Sequence, residues 1–158
     1  MENKKELSWH EAEGLAVEVA RQAQSAGFRP DVIVGITVGG MIPAALVAKV
    51  LGVRDVMTVS ARSYQGTTQG ALRIFNVPDS DLAGKRVLIV DDITDTGETL
   101  KEVARVLRER SRADTTRTAT FVVRTDKCVV KPDFAALEAT QWVVFPWEQW
   151  EDPVHNSS

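Results

Sequence analysis

The chain has one cysteine, Cys128, in 158 residues. A single thiol excludes an internal disulfide framework and a thiolate metal cluster, and it fits a reducing cytoplasm. Histidine is almost as scarce, and His10 and His155 each read as solvated surface residues. No apolar run approaches the ~18 residues of a membrane-spanning helix. The opening Met-Glu-Asn-Lys-Lys leads into no signal-like apolar segment. Net charge is only −3, so there is no basic field for a nucleic acid or a membrane surface. The densest basic run, Arg105, Arg108, Arg110, Arg112 and Arg117, is broken by Glu109 and Asp114. It reads as a solvated helix end, where cations are favoured. What remains is ordinary for a soluble protein: 44% hydrophobic and 26% charged residues. The length suits one domain with a substantial core.

Residues 7–26 have helical spacing, with Ala12, Leu15, Ala16, Val19, Ala20 and Ala23 on one stripe. Ser8 and Glu11 form a capping box at its start, and Gly27 stops it. Residues 31–36, DVIVGI, read as a short apolar strand, followed by Gly39-Gly40 and an apolar helix over 42–51. A strand returns over 53–61. Residues 63–71, SYQGTTQGA, are polar and Gly-bearing, the composition of a mobile loop. Residues 72–77 read as a short strand or edge ribbon, and 86–90 as a buried strand. Leu100, Val103, Ala104 and Leu107 mark an amphipathic helix of about three turns, and 118–124 a further strand. Strands alternating with helices argue for an open, mainly parallel α/β sheet. Residues 133–150 alternate poorly and hold three of the four tryptophans, and 152–158 form a polar tail.

The stretch 87–100, VLIVDDITDTGETL, concentrates the chemistry. Adjacent carboxylates at the end of a buried strand repel each other and are costly to desolvate. In open α/β sheets, ligands sit beyond the carboxyl ends of the strands, where Asp91 and Asp92 lie. The Thr/Gly turn that follows opens a helix and offers backbone N–H groups, hydroxyls and a positive helix end, which together suit a phosphate. The acids can accept hydrogen bonds from ribose hydroxyls or face a divalent cation. A ribose 5-phosphate satisfies both halves of the stretch.

That stretch resembles the phosphoribosyl-pyrophosphate signature of the type I phosphoribosyltransferases. The resemblance extends over nearly the whole chain. Residues 31–43, DVIVGITVGGMIP, resemble the family's pyrophosphate loop. Ser63-Tyr64 resembles the opening of its flexible catalytic loop, and 142–148, WVVFPWE, the base-binding hood of small xanthine-guanine and hypoxanthine enzymes. The fold implied is one phosphoribosyltransferase domain over 1–158: a core of about 7–124, a small C-terminal hood of about 125–151, and the tail.

The resemblance also implies roles. Asp91 and Asp92 would hold the ribose hydroxyls, directly or through magnesium-bound water, with Mg2+ as cofactor. Thr94, Asp95, Thr96, Gly97, Glu98 and Thr99 would cradle the 5-phosphate, and Asp95 would exchange a proton at purine N7. Val38, Gly39 and Gly40 would bind pyrophosphate through the backbone. Trp142 would stack on the base and the Val143 backbone would read its exocyclic group. The substrates implied are phosphoribosyl pyrophosphate and a 6-oxopurine (guanine, hypoxanthine or xanthine), and a homo-oligomer, dimer or tetramer, is expected. Two positions depart from the family. Relatives carry a Lys that meets the 6-oxo group, where this chain has Arg124 in the simplest alignment, or Lys127 if the loop shifts. Relatives carry Arg or Lys where this chain has Val38. A regulatory module that binds phosphoribosyl pyrophosphate or a nucleotide with little turnover is the second reading. The amidotransferase branch is excluded, because it requires an N-terminal Cys.

Overall fold

The computed structural model describes residues 3–64 and 71–150, without the Tyr64 side chain. The chain begins with β1 (Lys4–Glu6), α1 (Trp9–Ser25), β2 (Val32–Thr37) and α2 (Met41–Leu51). It continues through β3 (Asp55–Tyr64), β4 (Ala71–Phe75), β5 (Arg86–Thr94) and α3 (Glu98–Arg110). The last elements are β6 (Thr115–Arg124), β7 (Phe134–Ala139), β8 (Trp142–Val144) and a 3-10 turn, Pro146–Glu148. Six strands form one sheet in the order β4-β3-β2-β5-β6-β7. All neighbours are parallel except β4, which closes the edge antiparallel to β3. This is the mainly parallel α/β sheet expected from the sequence.

Both faces of the sheet are covered, which is why the central strands read as unbroken apolar runs. Ile33, Leu88 and Val90 face a core built with Ala16, Val19 and Ala23 of α1 and Ala44 and Val47 of α2. Val32, Val34, Val87 and Ile89 face the opposite core, with Leu100, Val103 and Leu107 of α3. The period of two along the strands thus assigns alternate residues to the two helical layers. The Ser8 cap forms as its sequence suggests: the Glu11 N–H donates to Ser8 Oγ at 3.0 Å and the Ser8 N–H to Glu11 Oε1 at 3.2 Å. Among the described residues, no helix is long and apolar enough to cross a membrane.

The structure differs from the sequence reading at several boundaries. β5 does not stop at Val90 but keeps its pairing with β6 through Thr94, so the acidic pair lies inside the hydrogen-bonded strand. β3 runs on to Tyr64, and Ser63 and Tyr64 pair with Leu72 and Ala71 in an antiparallel ribbon. The expected mobile loop therefore has ordered ends, while its residues 65–70 lie outside the described residues, as do the tail and His155. The basic run divides rather than marking one helix end. Arg105 sits within α3 beside Glu102 and Glu109, Arg112 pairs with Asp81 at 3.2 Å, and Arg117 on β6 pairs with Asp133 at 3.6 Å. Only Arg108 and Arg110 occupy the last turn.

One element has no sequence signal. β1 is Lys-Lys-Glu, and it pairs in parallel with β8 in a separate two-stranded sheet. That pairing turns Val143 (1% exposed) into the α1 and α2 core with Leu7 and Phe145.

Candidate active site

The chain steps from β2 through α2 to β3 on one side, then returns to place β5 on the other side of β2. The direction of winding therefore reverses between β2 and β5. A crevice opens at such a switch point, beyond the carboxyl ends of the strands. The 37–40 turn follows β2 into this crevice, and the acidic pair stands at the end of β5.

Asp91 is half-buried and Asp92 is buried, at 8% exposure. The Asp92 N–H donates to Asp91 Oδ1 at 2.9 Å, and the Ile93 N–H to Asp92 Oδ1 at 2.7 Å. These bonds fold each carboxylate back against the strand. Burial first, then the charge of Asp92, pushes the Asp91 carboxyl well above the ordinary range. The glycine pair is what lets the β2–α2 turn lie here. A Cβ on Gly39 would stand 2.7 Å from Cγ of Asp92, and one on Gly40 2.7 Å from the Ile36 carbonyl oxygen. Val38 precedes them at 80% exposure, after a cis Thr37–Val38 peptide. Behind the turn, Thr37 Oγ1 and Ser60 Oγ share a hydrogen bond of 2.8 Å, and Asn76 Nδ2 donates to Ser60 Oγ at 3.2 Å.

The Thr/Gly turn leaves β5 at Thr94 and enters α3 at Gly97, whose φ of +92° favours glycine. Gly97 supplies no side-chain cap to α3, and the Glu98 N–H donates to Thr96 Oγ1 at 3.3 Å, while the Thr99 and Leu100 N–H groups have no partner within the helix. Thr94, Asp95, Thr96, Gly97 and Thr99 line a cavity of about 110 Å³ together with Asp91. The Thr94 hydroxyl is buried without a hydrogen-bond partner among the described residues. A buried hydroxyl left unpaired is costly, so a bound acceptor here would relieve it. The loop after β6 braces the turn: the Val129 and Val130 N–H groups both donate to the Thr96 carbonyl, at 3.0 and 2.9 Å.

The strand register leaves Asp95 and Arg124 as the next residues on neighbouring strands, after the Thr94–Val123 pair. Arg124 is 7% exposed. Its Nε donates to Asp126 Oδ1 and its Nη2 to Asp126 Oδ2, both at 3.3 Å, and Nη2 also donates to the Thr140 carbonyl at 3.2 Å. Lys127 is exposed, and its backbone N–H returns to the Arg124 carbonyl at 3.1 Å. Asp126 and Thr140 carried no sequence signal, since each touches Arg124 only once the chain turns back.

The three C-terminal tryptophans separate. Trp147 stacks on Phe145 at 4.7 Å and 8° between planes, and packs against the core. Trp150 is exposed. Trp142, 46% exposed, lines a cavity of about 550 Å³ with Lys4, Trp9, Val144 and Phe145. That cavity has no residue of the acidic pair or the 94–99 turn in its wall. The structure thus brings Asp91, Asp92, Gly39, Gly40, the 94–99 turn and Arg124 to one end of the sheet. Trp142 lies on the small sheet in the wall of the separate, larger cavity, with Val143 turned inward. Ser63 is exposed at the end of β3, and His10 is exposed on α1.

The comparisons agree with this architecture. Residues 4–152 match the phosphoribosyl transferase domain family. The chain is 42% identical over 120 residues to a xanthine-guanine phosphoribosyltransferase of Chromohalobacter salexigens, spanning 73% of this chain and 67% of that one. It is 33% identical to a similarly named protein of Cereibacter sphaeroides, over 73% and 68% of the two chains. Among solved structures, it superposes on a Helicobacter pylori xanthine-guanine-hypoxanthine phosphoribosyltransferase with a TM-score of 0.85 and 25% identity, over 98% and 99% of the chains. A purine phosphoribosyltransferase from Pyrococcus horikoshii gives 0.81 and 31% identity, over 92% and 95%. The winding of the sheet, the acidic pair at its switch point and a family match over nearly every residue converge: the chain belongs to the phosphoribosyl transferase domain family.

Proposed function

We propose that the protein transfers the 5-phosphoribosyl group from phosphoribosyl pyrophosphate to a 6-oxopurine, guanine, hypoxanthine or xanthine, and releases pyrophosphate. The observation that carries this reading is the unpaired buried Thr94 hydroxyl in the cavity before α3, next to two adjacent carboxylates. An anion acceptor and a vicinal diol in one ligand answer both needs.

In this reading the 94–99 turn and the first N–H groups of α3 anchor the 5-phosphate. Asp91 and Asp92 accept hydrogen bonds from the ribose hydroxyls, and Gly39 and Gly40 bring backbone N–H groups to the pyrophosphate. Asp95 holds or releases the proton at purine N7, Arg124 meets the 6-oxo group, and Trp142 and the Val143 backbone contact the base. Hard oxygen donors on two adjacent, mutually repelling carboxylates suit a magnesium ion. When bound, it would neutralise charge on the donor substrate and the leaving pyrophosphate. The protein's own part is orientation and exclusion of water while positive charge develops on the sugar. The loop at 63–71 is the proposed lid. The C-terminal segment of about 125–151 is the proposed hood of a single domain, acting in the cytoplasm as a homo-oligomer. A turnover assay over free bases with phosphoribosyl pyrophosphate and magnesium, read by pyrophosphate release, tests the whole reading. Silence on every 6-oxopurine would remove it.

Trp142→Ala is expected to weaken purine nucleotides by about 1–3 kcal/mol, the worth of a base stack, while sparing ribose 5-phosphate. Equal weakening of both ligands, measured by calorimetry, would make Trp142 a scaffold residue only.

Val38 favours the second reading, a sensing module with little turnover, because no cation stands at that exposed position to offset pyrophosphate. Val38→Arg is expected to tighten phosphoribosyl pyrophosphate by about 1 kcal/mol at this solvent-facing site. Wild-type affinity should then depend steeply on magnesium. Binding without pyrophosphate release in both proteins, across a magnesium series, would decide for the sensor.

A further inference from the structure

Arg124 is a cation buried at the end of β6, and a buried charge needs partners. It has three fixed ones: both Asp126 oxygens, held by Nε and Nη2, and the Thr140 carbonyl, held by Nη2. The guanidinium is planar, with five N–H groups in rigid directions. Holding Nε and Nη2 therefore also sets the direction of Nη1. Nη1 has no hydrogen-bond partner among the described residues. A lysine ammonium rotates its own donors and needs no such brace, whereas an arginine at this place does.

We propose that Asp126 is a positioning residue for base recognition: it locks the Arg124 guanidinium so that Nη1 is left to donate, which selects purines bearing an acceptor at C6 over those bearing an amino group. The proposal rests on the purine-transfer reading above and deepens it. A guanidinium carries donors only, so a 6-oxo group completes the bond and a 6-amino group sets donor against donor. The register beside Asp95 puts Arg124 at the reacting end of the sheet. Lys127 is not required for this selection, since its side chain is exposed and it joins Arg124 through its backbone. The hydrogen bonds from Arg124 hold the Asp126 carboxyl below the usual carboxylate range, with the charge of Lys127 adding a smaller pull, so the brace stays ionised at neutral pH. The bond to Thr140 gives the brace a second effect, because it ties the end of β6 to the turn that leads into Trp142.

Steady-state kinetics with hypoxanthine, guanine and adenine, each titrated against phosphoribosyl pyrophosphate, test the assignment. Asp126→Ala is expected to raise KM for the 6-oxopurines about tenfold, the scale of a misplaced charge-assisted hydrogen bond. KM for phosphoribosyl pyrophosphate should stay at its wild-type value, while the Tm should fall somewhat, because the buried Arg124 charge loses two of its bonds. The preference for 6-oxo over 6-amino bases should narrow, and Asp126→Glu should recover much of it. An unchanged base KM, or an equal rise in KM for both substrates, overturns the proposal. If the wild type turns over a 6-oxopurine and Asp126→Ala is indistinguishable from it, this inference alone falls. If the wild type turns over no purine, the transfer reading falls first and this falls with it.

Discussion

Asp91→Asn and Asp92→Asn are each expected to weaken magnesium–phosphoribosyl pyrophosphate by about 1.5–3 kcal/mol, the worth of a hydrogen bond to a charged group. That corresponds to roughly tenfold to 150-fold in affinity. The fold itself should gain. The Asp91 carboxyl is pushed up in the folded protein by burial and by Asp92, so the folded state holds its proton more tightly than the unfolded chain does. Such a group loses stability as pH rises from its unfolded value, near 3.9, towards its raised folded value, and the loss persists at neutral pH. Asn carries no charge, yet it keeps an oxygen for the Asp92 N–H that now donates to Asp91 Oδ1. At pH 7 the Asp91→Asn protein should therefore melt higher than the wild type. The difference should shrink as pH falls through the raised folded value and vanish below about 4, where Asp91 is protonated in both states. Calorimetric titration checks the affinities and a pH series of melts checks the stability. Unchanged affinity in both variants would remove the ribose assignment, and a lower Tm for Asp91→Asn at pH 7 would contradict the strain argument.

Gly97→Ala is expected to be the most damaging single methyl in the site. Gly97 sits at φ +92° as the residue before α3, and an added Cβ would collide with the Val130 carbonyl. The left-handed conformation costs a non-glycine residue about 1–2 kcal/mol, and overpacking adds about 1–3 kcal/mol. The chain can escape the clash only by lifting the loop after β6. That would take the Val129 and Val130 N–H groups away from the Thr96 carbonyl and loosen the 94–99 turn they brace. Urea unfolding should show a loss of about 2–5 kcal/mol by those two terms, and ribose 5-phosphate affinity should fall with it. Gly14→Ala supplies the contrast. Gly14 is exposed within α1 with nothing within 4 Å of an added Cβ, so alanine should stabilise by about 0.5–1 kcal/mol through helix propensity. A Gly97→Ala protein with wild-type urea stability and phosphate affinity would refute the packing of the 125–132 loop on the turn.

Much of the architecture was legible because it depends on local pattern. The Ser8–Glu11 box lies three residues apart in sequence, so the start of α1 can be read without knowing its neighbours. Leu100, Val103, Ala104 and Leu107 predicted the buried side of α3 from a 3.6-residue period. The apolar runs of β2 and β5 marked strands covered on both faces. The bend at 94–97 was legible for the same reason: Thr, Asp, Thr and Gly lie within one short stretch between β5 and α3.

What sequence pattern left open depends on register between distant segments. Lys4–Glu6 has no strand pattern of its own and becomes one by pairing with Trp142–Val144. The three C-terminal tryptophans are alike in sequence, and only packing turns Trp147 to the core, leaves Trp150 in solvent and sets Trp142 on the wall of a cavity. The Gly39-Gly40 pair was readable as lying between β2 and α2, but not the closeness of the Asp92 carboxylate to where a Gly39 side chain would go. The burial of Arg124 likewise waited on the fold, because its Asp126 and Thr140 contacts exist only once the chain turns back after β6 and β7. Local periodicity and capping determined most of the elements and the turn between β5 and α3 by themselves. The tertiary structure decided which side chains share the site, since a one-residue slip in strand register would send each of them to the opposite face.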